Sequence, residues 1–117
     1  AIQQVYDMAD RMRANLAGVK EGDYNAIDAT TPTDPSCISA GCTIPNVAAT
    51  DHFQWNKNNG IFLPGGTGTV TCPATATCPS ATQPVTEGTV FNITVNWKER
   101  DGTTTGATHS ITESIRP

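Results

Sequence analysis

The sequence predicts an α+β domain of two layers, a helix laid on a small antiparallel sheet. Three observations carry that expectation. Residues 1–19 repeat apolar side chains at helical spacing, residues 90–98 alternate apolar with polar, and from Ala29 onward Thr, Ser, Gly, Pro and Asn dominate. A lone helix of that length is marginal in water and needs a surface to pack on. A strand with one apolar face supplies one.

In the first element Ile2, Val5, Ala9, Met12, Leu16 and Val19 recur at spacings of three and four, so they form one stripe, flanked by Tyr6 and Met8. Asp7 and Arg11, and Asp10 and Arg13, stand close enough to pair on the polar face. Gly18 weakens the helix near its end and Gly22 offers a stop. Lys20 to Cys42 keeps no hydrophobic period and reads as an irregular surface loop. Its Asp23, Asp28 and Asp34 lack the order of a calcium loop and read as solvated carboxylates.

Thr43 to Asn59 reads as a second, short helix. Pro45 fits its first turn, Thr43 or Ile44 its cap, and Val47, Ala48, His52 and Trp55 approximate one face. Asn58-Asn59-Gly60 is its expected stop, followed by Ile61-Phe62-Leu63 as a brief apolar anchor and Pro64-Gly65-Gly66 as a turn. Thr67 to Cys72 is a first strand. Val90 to Lys98 is the clearest strand, with Phe91, Ile93, Val95 and Trp97 on one face. Thr104 to Ile115 is its partner. A two-residue turn at Asp101-Gly102 would set apolar residues against polar ones. A three-residue loop, Arg100-Asp101-Gly102 with Gly102 left-handed, sets Phe91 opposite Ile111 and Val95 opposite Ala107. The core is then the helix stripe with Phe91, Ile93, Val95, Trp97 and Ile111. The expected organisation is one domain over 1–117, with the helix at 1–19, a loop and short helix at 20–66, and strands at 67–117.

Composition narrows the function. Seven Lys+Arg stand against 11 Asp+Glu, a formal net charge of −4, with no basic block. That argues against a nucleic-acid or anionic-membrane surface. Only 15% of the residues are charged, low for an ordinary cytosolic chain. The four cysteines fall in two close pairs, Cys37 with Cys42 and Cys72 with Cys78. Two local disulfides and an oxidising compartment are the expected reading, although sequence alone permits three pairings and a four-thiolate zinc site is the rival. Rings this short would stabilise by about 2 kcal/mol each before strain, shaping loops rather than holding the domain.

No enzyme signal stands out. His52 and His109 are the only histidines. His52 adjoins Asp51, a spacing that turns the two to different sides of a helix. His109 shares a strand face with Ile111 and reads as a rim residue. No serine sits in an elbow motif, and Gly-Gly-Thr-Gly at 65–68 lacks the rest of a phosphate loop. The Asn92-Ile93-Thr94 sequon lies inside a strand. No cofactor or metal is expected.

The segment Met8-Ala9-Asp10-Arg11-Met12-Arg13-Ala14-Asn15, followed by Leu16-Ala17-Gly18-Val19, resembles the minor pilins of the PilV type, also called type IV pilus modification proteins. The Cys37/Cys42 loop, Ala48-Ala49-x-Asp51-x-x-x-Trp55, Leu63-Pro64-Gly65-Gly66 and Val95-x-Trp97 accompany it. The resemblance implies a pilin-like headgroup carrying the lower part of a long helix. The apolar upper part, absent here, would anchor the subunit in the inner membrane of a Gram-negative cell before export into the extracellular pilus. It implies non-enzymatic assembly with other minor pilins, sometimes with a large tip adhesin, to prime pilus growth and form a tip complex. Ile2, Val5, Tyr6 and Met8 are the expected helix residues free for neighbouring subunits. A type II secretion minor pseudopilin shares these features. A surface ligand- or adhesin-binding module, with Trp55 and the Pro73–Pro84 loop as contacts, is the reading from a different class.

Overall fold

The computed structural model describes all residues except 38–40, 74–77, 81–88 and 100–106. Helix α1 spans Ile2–Ala14 and α2 Leu16–Glu21. A two-residue strand β1, Ala26–Ile27, precedes helix α3, Ile44–Phe62. Strands β2 (Thr67–Thr71), β3 (Phe91–Lys98) and β4 (Thr108–Ile115) complete an antiparallel sheet of order β1-β2-β3-β4. The fold is α+β, with the helices packed on the apolar face of that sheet.

The expected single helix over 1–19 is broken at Asn15, which takes a non-helical backbone. Its side-chain carbonyl accepts from Gly18 N at 3.3 Å and so starts α2 as its N-cap. A short side chain that bonds its own backbone competes with the helix it interrupts. The break turns Leu16 out of the stripe, and it is exposed. Val5, Ala9, Met12 and Val19 remain buried, joined by Met8. Gly22 closes α2 with φ +87°, while the N–H groups of Gly22 and Asp23 bond the carbonyls of Val19 and Gly18.

β1 lies within the segment expected to be irregular. It pairs Ala26 with Thr71 and Ile27 with Val70. The ring Cys37–Cys42 follows it, and Cys72–Cys78 closes the second ring directly after β2. Both disulfides are formed between the expected pairs.

α3 is not short. It starts as expected, with Thr43 accepting from Asn46 N and Pro45 in the first turn. It then runs 19 residues, through Asn58-Asn59-Gly60, and takes in Ile61 and Phe62. Asn59 is buried and donates to Asn56 Oδ1, so it works as an interior helix residue rather than as a stop. The end comes at Leu63, whose extended backbone (φ −127°, ψ 133°) is what a following proline requires. Of the expected apolar anchor, Leu63 packs against the core while Ile61 and Phe62 are exposed.

The β3–β4 hairpin has the expected faces but a different slide. Val95 faces Ile111 and Phe91 faces Ile115, with Lys98 opposite Thr108. The expected pairing of Phe91 with Ile111 and Val95 with Ala107 is therefore corrected. Alternation fixes which side of the sheet a residue occupies, not how far one strand slides along the other. The observed slide sets an isoleucine against each of Phe91 and Val95. It also stacks His109 on Trp97, ring centroids 5.7 Å apart. Gly102, whose left-handed turn was expected, lies outside the described residues.

The core comprises Val5, Met8, Ala9, Met12, Val19, Tyr24, Ile27, Ala48, Trp55, Val70, Cys72, Phe91, Ile93 and Val95. Apart from Lys98, the opposite face of the sheet is a lattice of short uncharged side chains. Its rows are Thr67-Asn96-Ser110, Thr69-Thr94-Thr112 and Thr71-Asn92-Ser114. Thr94 and Thr112 share a hydrogen bond of 2.8 Å, and Ser114 donates to Asn92 at 2.7 Å.

α3 meets the sheet at Gly68. A Cβ there would lie 2.3 Å from the Trp55 ring and 2.6 Å from Asn59 Nδ2. The Asn56 side chain bonds both backbone groups of Gly68, donating to its carbonyl at 3.0 Å and accepting from its N–H at 2.6 Å. Gly68→Ala is expected to cost about 2 kcal/mol or more. Asn56→Ala, which strips two buried backbone groups of their partners, is expected to cost a similar amount. Urea unfolding of the two variants checks both values.

Candidate subunit interface

Of the helix residues expected to meet other subunits, most are taken up by the chain's own fold. Val5 and Met8 are fully buried, so neither is free for a neighbour. Ile2 is half-buried and packs on the core. Tyr6 alone among the expected interface residues is exposed, at 58%. The periodicity could not separate Tyr6 from Met8, because both flank the stripe and only the position of the sheet decides between them.

Among the described residues, the most exposed of the large apolar side chains lie instead at the end of α3. Ile61 is 64% and Phe62 66% exposed. Phe62 and Leu63 border a hollow of about 250 Å³ with Ala1, Gln3 and Gln4 of the first turn of the chain. Tyr6 stands one helical turn beyond Gln3 and so extends the same side of α1. The two helices are pinned together at this level, because Trp55 Nε1 donates to Gln4 O at 2.8 Å. That bond, with complete burial of the ring, removes Trp55 as a ligand contact and overturns the version of the surface-module reading that used it. Of its other contact segment, residues 74–77 and 81–84 lie outside the described residues.

The polar side of α1 is committed to holding α3. Arg11 reaches Asp7 Oδ1 with Nε at 3.2 Å, and Asp51 Oδ1 and Gln54 Oε1 with Nη1 at 3.1 and 2.8 Å. Tyr24 donates its hydroxyl to the other oxygen of Asp51, and accepts from Asn15 Nδ2 at 3.1 Å. Asp51 is nearly enclosed. A buried carboxylate is tolerated when a guanidinium and a hydroxyl satisfy it. The position therefore reads as a structural clasp of α1, α3 and the α2–β1 turn. His52, on the next residue, faces away to the carbonyl of Asp28 at 3.0 Å. His109 is exposed and lies 3.3 Å from Glu99 Oε2.

Among the described residues no group of three or more His, Cys, Asp or Glu is placed to hold a metal ion, and all four cysteines are in disulfides. Asp28 is held below the usual carboxylate range, first by the Thr30 hydroxyl and then by the Thr30 N–H. Among the described residues no helix is long and apolar enough to cross a membrane. No family model, curated protein or solved structure matches the chain.

Burial, and then the bond to Asp51, raise the Tyr24 pKa above its ordinary value of 10.0. The unfolded chain therefore releases this proton at lower pH than the folded one. Stability contributed by Tyr24 is complete below about pH 10 and falls as the pH rises further. The urea midpoint is expected to drop more steeply between about pH 9 and 11 in the wild type than in Tyr24→Phe. Equal slopes would show that Tyr24 does not carry the effect.

Proposed function

We propose that the chain is a non-enzymatic assembly subunit, a minor pilin headgroup that joins other minor pilins in a complex that primes a pilus and sits at its tip. The observation that carries this reading is the lay of α1. An N-terminal helix spends its apolar stripe on an antiparallel sheet, while exposed Phe62, next to exposed Ile61, borders its first turn. A subunit held by its neighbours at that end needs apolar side chains there that its own fold leaves uncovered. The disulfide rings, set in turn-rich sequence, suit an exported surface protein. The resemblance of residues 8–19 to the PilV-type minor pilins supplies the choice among assembly subunits.

The test is co-purification of the protein with pilins encoded beside it. A stable complex is expected. Phe62→Asp combined with Tyr6→Asp is expected to reduce the recovered pilins by about tenfold, as loss of a central apolar anchor does, with the unfolding midpoint of the subunit unchanged. A wild-type subunit that recovers no pilin overturns the tip-complex reading. Neighbouring genes for secretion-system components rather than pilins would move it to a pseudopilus.

A further inference from the structure

The two edges of the sheet are finished differently. On the β1 side, Asn56 places its side-chain amide against Gly68, where the strand next to β2 would continue. The stretch of β2 that β1 does not cover is thus capped. On the other side β4 is the terminal strand, and among the described residues no strand pairs with its outer edge.

The backbone groups facing outward along β4 can be assigned. Gly68 spends its N–H and C=O on Asn56, away from β3. Residues of a strand alternate in the side to which they bond. Thr67, Thr69 and Thr71 therefore face β3, and bond Asn96, Thr94 and Asn92. The odd-numbered residues of β3 then bond β4, in agreement with the bond from Glu99 N to Ala107 O. What remains on the outer edge is the N–H and C=O of Thr108, Ser110, Thr112 and Ser114. All four residues are exposed.

Such an edge invites a strand, and proteins commonly blunt it with a charge on the apolar side. Glu113 is that charge. It sits on the Ile111–Ile115 face opposite Ile93, and is exposed. Any incoming strand must offer its carboxylate a donor. β4 itself does so. When two copies of β4 are laid antiparallel with Ile111 against Ile111, His109 of each falls opposite Glu113 of the other. Ser110 then faces Thr112, Thr108 faces Ser114, and Ala107 faces Ile115. The outward backbone groups meet one another, and His109 and Glu113 fall in the closer, non-hydrogen-bonded pairs. A slide of two residues either way leaves Glu113 opposite Ala107 or Ile111. A parallel arrangement sets Glu113 beside Glu113.

We propose that β4 is a self-complementary edge through which two copies of this chain pair antiparallel, joining their sheets with reciprocal His109–Glu113 contacts. The occupant is a second copy because β4 carries a carboxylate and a ring donor two residues either side of Ile111, the spacing that two-fold pairing requires.

Sedimentation equilibrium from low-micromolar to millimolar concentration tests this. The wild type is expected to show a reversible monomer–dimer equilibrium. Glu113→Lys, which sets a cation against His109, is expected to raise the dissociation constant about tenfold or more. Glu113→Lys with His109→Glu is expected to recover most of the loss, which a merely structural role for either residue would not produce. Thr112→Pro, at an outward N–H that β3 does not use, is expected to abolish dimerisation. If that variant misfolds, amide exchange in the wild type decides the point. Protection of Ser110 and Thr112 should rise with protein concentration while that of Thr69 and Thr94 stays constant. A monomer at every concentration, or a dimer indifferent to Glu113→Lys with no such protection, overturns the proposal. A monomer that gains protection at Ser110 and Thr112 only when an unrelated extended peptide is added assigns the edge to a foreign strand, and overturns it equally.

Discussion

The absence of a side chain at Gly68 is the constraint on which the rest of the structure depends. The space that a Cβ would take is filled by the Trp55 ring and the Asn59 amide. That close approach brings α3 down on β2, and Asn56 can then bond both backbone groups of Gly68. The same asparagine donates to the carbonyls of Asp28 and Thr30, drawing the irregular segment after β1 toward the helix. Trp55 passes the constraint on to α1 through the Gln4 carbonyl. Helix, sheet and the irregular segment between them are referenced to one residue whose contribution is its lack of atoms.

This seam is polar where a helix–sheet contact is usually apolar. Asp51, Asn56 and Asn59 are buried on α3 beside Ala48 and Trp55. Such groups cost free energy unless satisfied. Asp51 is met by Arg11 and Tyr24, and the Asn56 amide is shared among three backbone carbonyls, the Gly68 N–H and Asn59, whereas Asn59 Oδ1 is buried with no partner among the described residues. Oriented hydrogen bonds tolerate few alternative dockings, whereas a purely apolar stripe can slide. The arrangement trades some gross stability for a single seating of α3.

That polarity also explains what the sequence did and did not reveal. α1 and β3 were legible because Val5, Ala9 and Met12, and Phe91, Ile93 and Val95, keep strict periods against one continuous core. The full length of α3 was not legible. Asn58-Asn59-Gly60 has the composition of a helix stop, and only the tertiary partner of Asn59 turns it into interior helix. β1 is two residues long and carries no period. The hairpin kept its faces and lost its slide, since Ile111 and Ile115 are equivalent to any rule based on alternation. At the candidate interface the same limit applied. A residue beside the stripe is core or surface according to where the sheet lies, and the sheet lies toward Met8 and away from Tyr6.

The division of α1 into committed and uncommitted sides has a consequence for how such a subunit meets others. One side is spent on the sheet through Val5, Met8, Ala9 and Met12. Another is spent on α3 through Arg11, which is bound to Asp7, Asp51 and Gln54 at once. A neighbour approaching α1 over its first turns therefore meets Gln3 and Tyr6, and beside them the end of α3 with Ile61 and Phe62. Pro64 ends α3 by forcing Leu63 out of the helix, and so determines where these two side chains emerge. The apolar contact surface at that end is thus produced by a helix terminus distant in sequence from α1. Its position relative to α1 is set by the Trp55–Gln4 bond and, behind it, by Gly68. A change at Gly68 would act on such an interface without touching it, by tilting α3 and carrying Phe62 away from the first turn of α1.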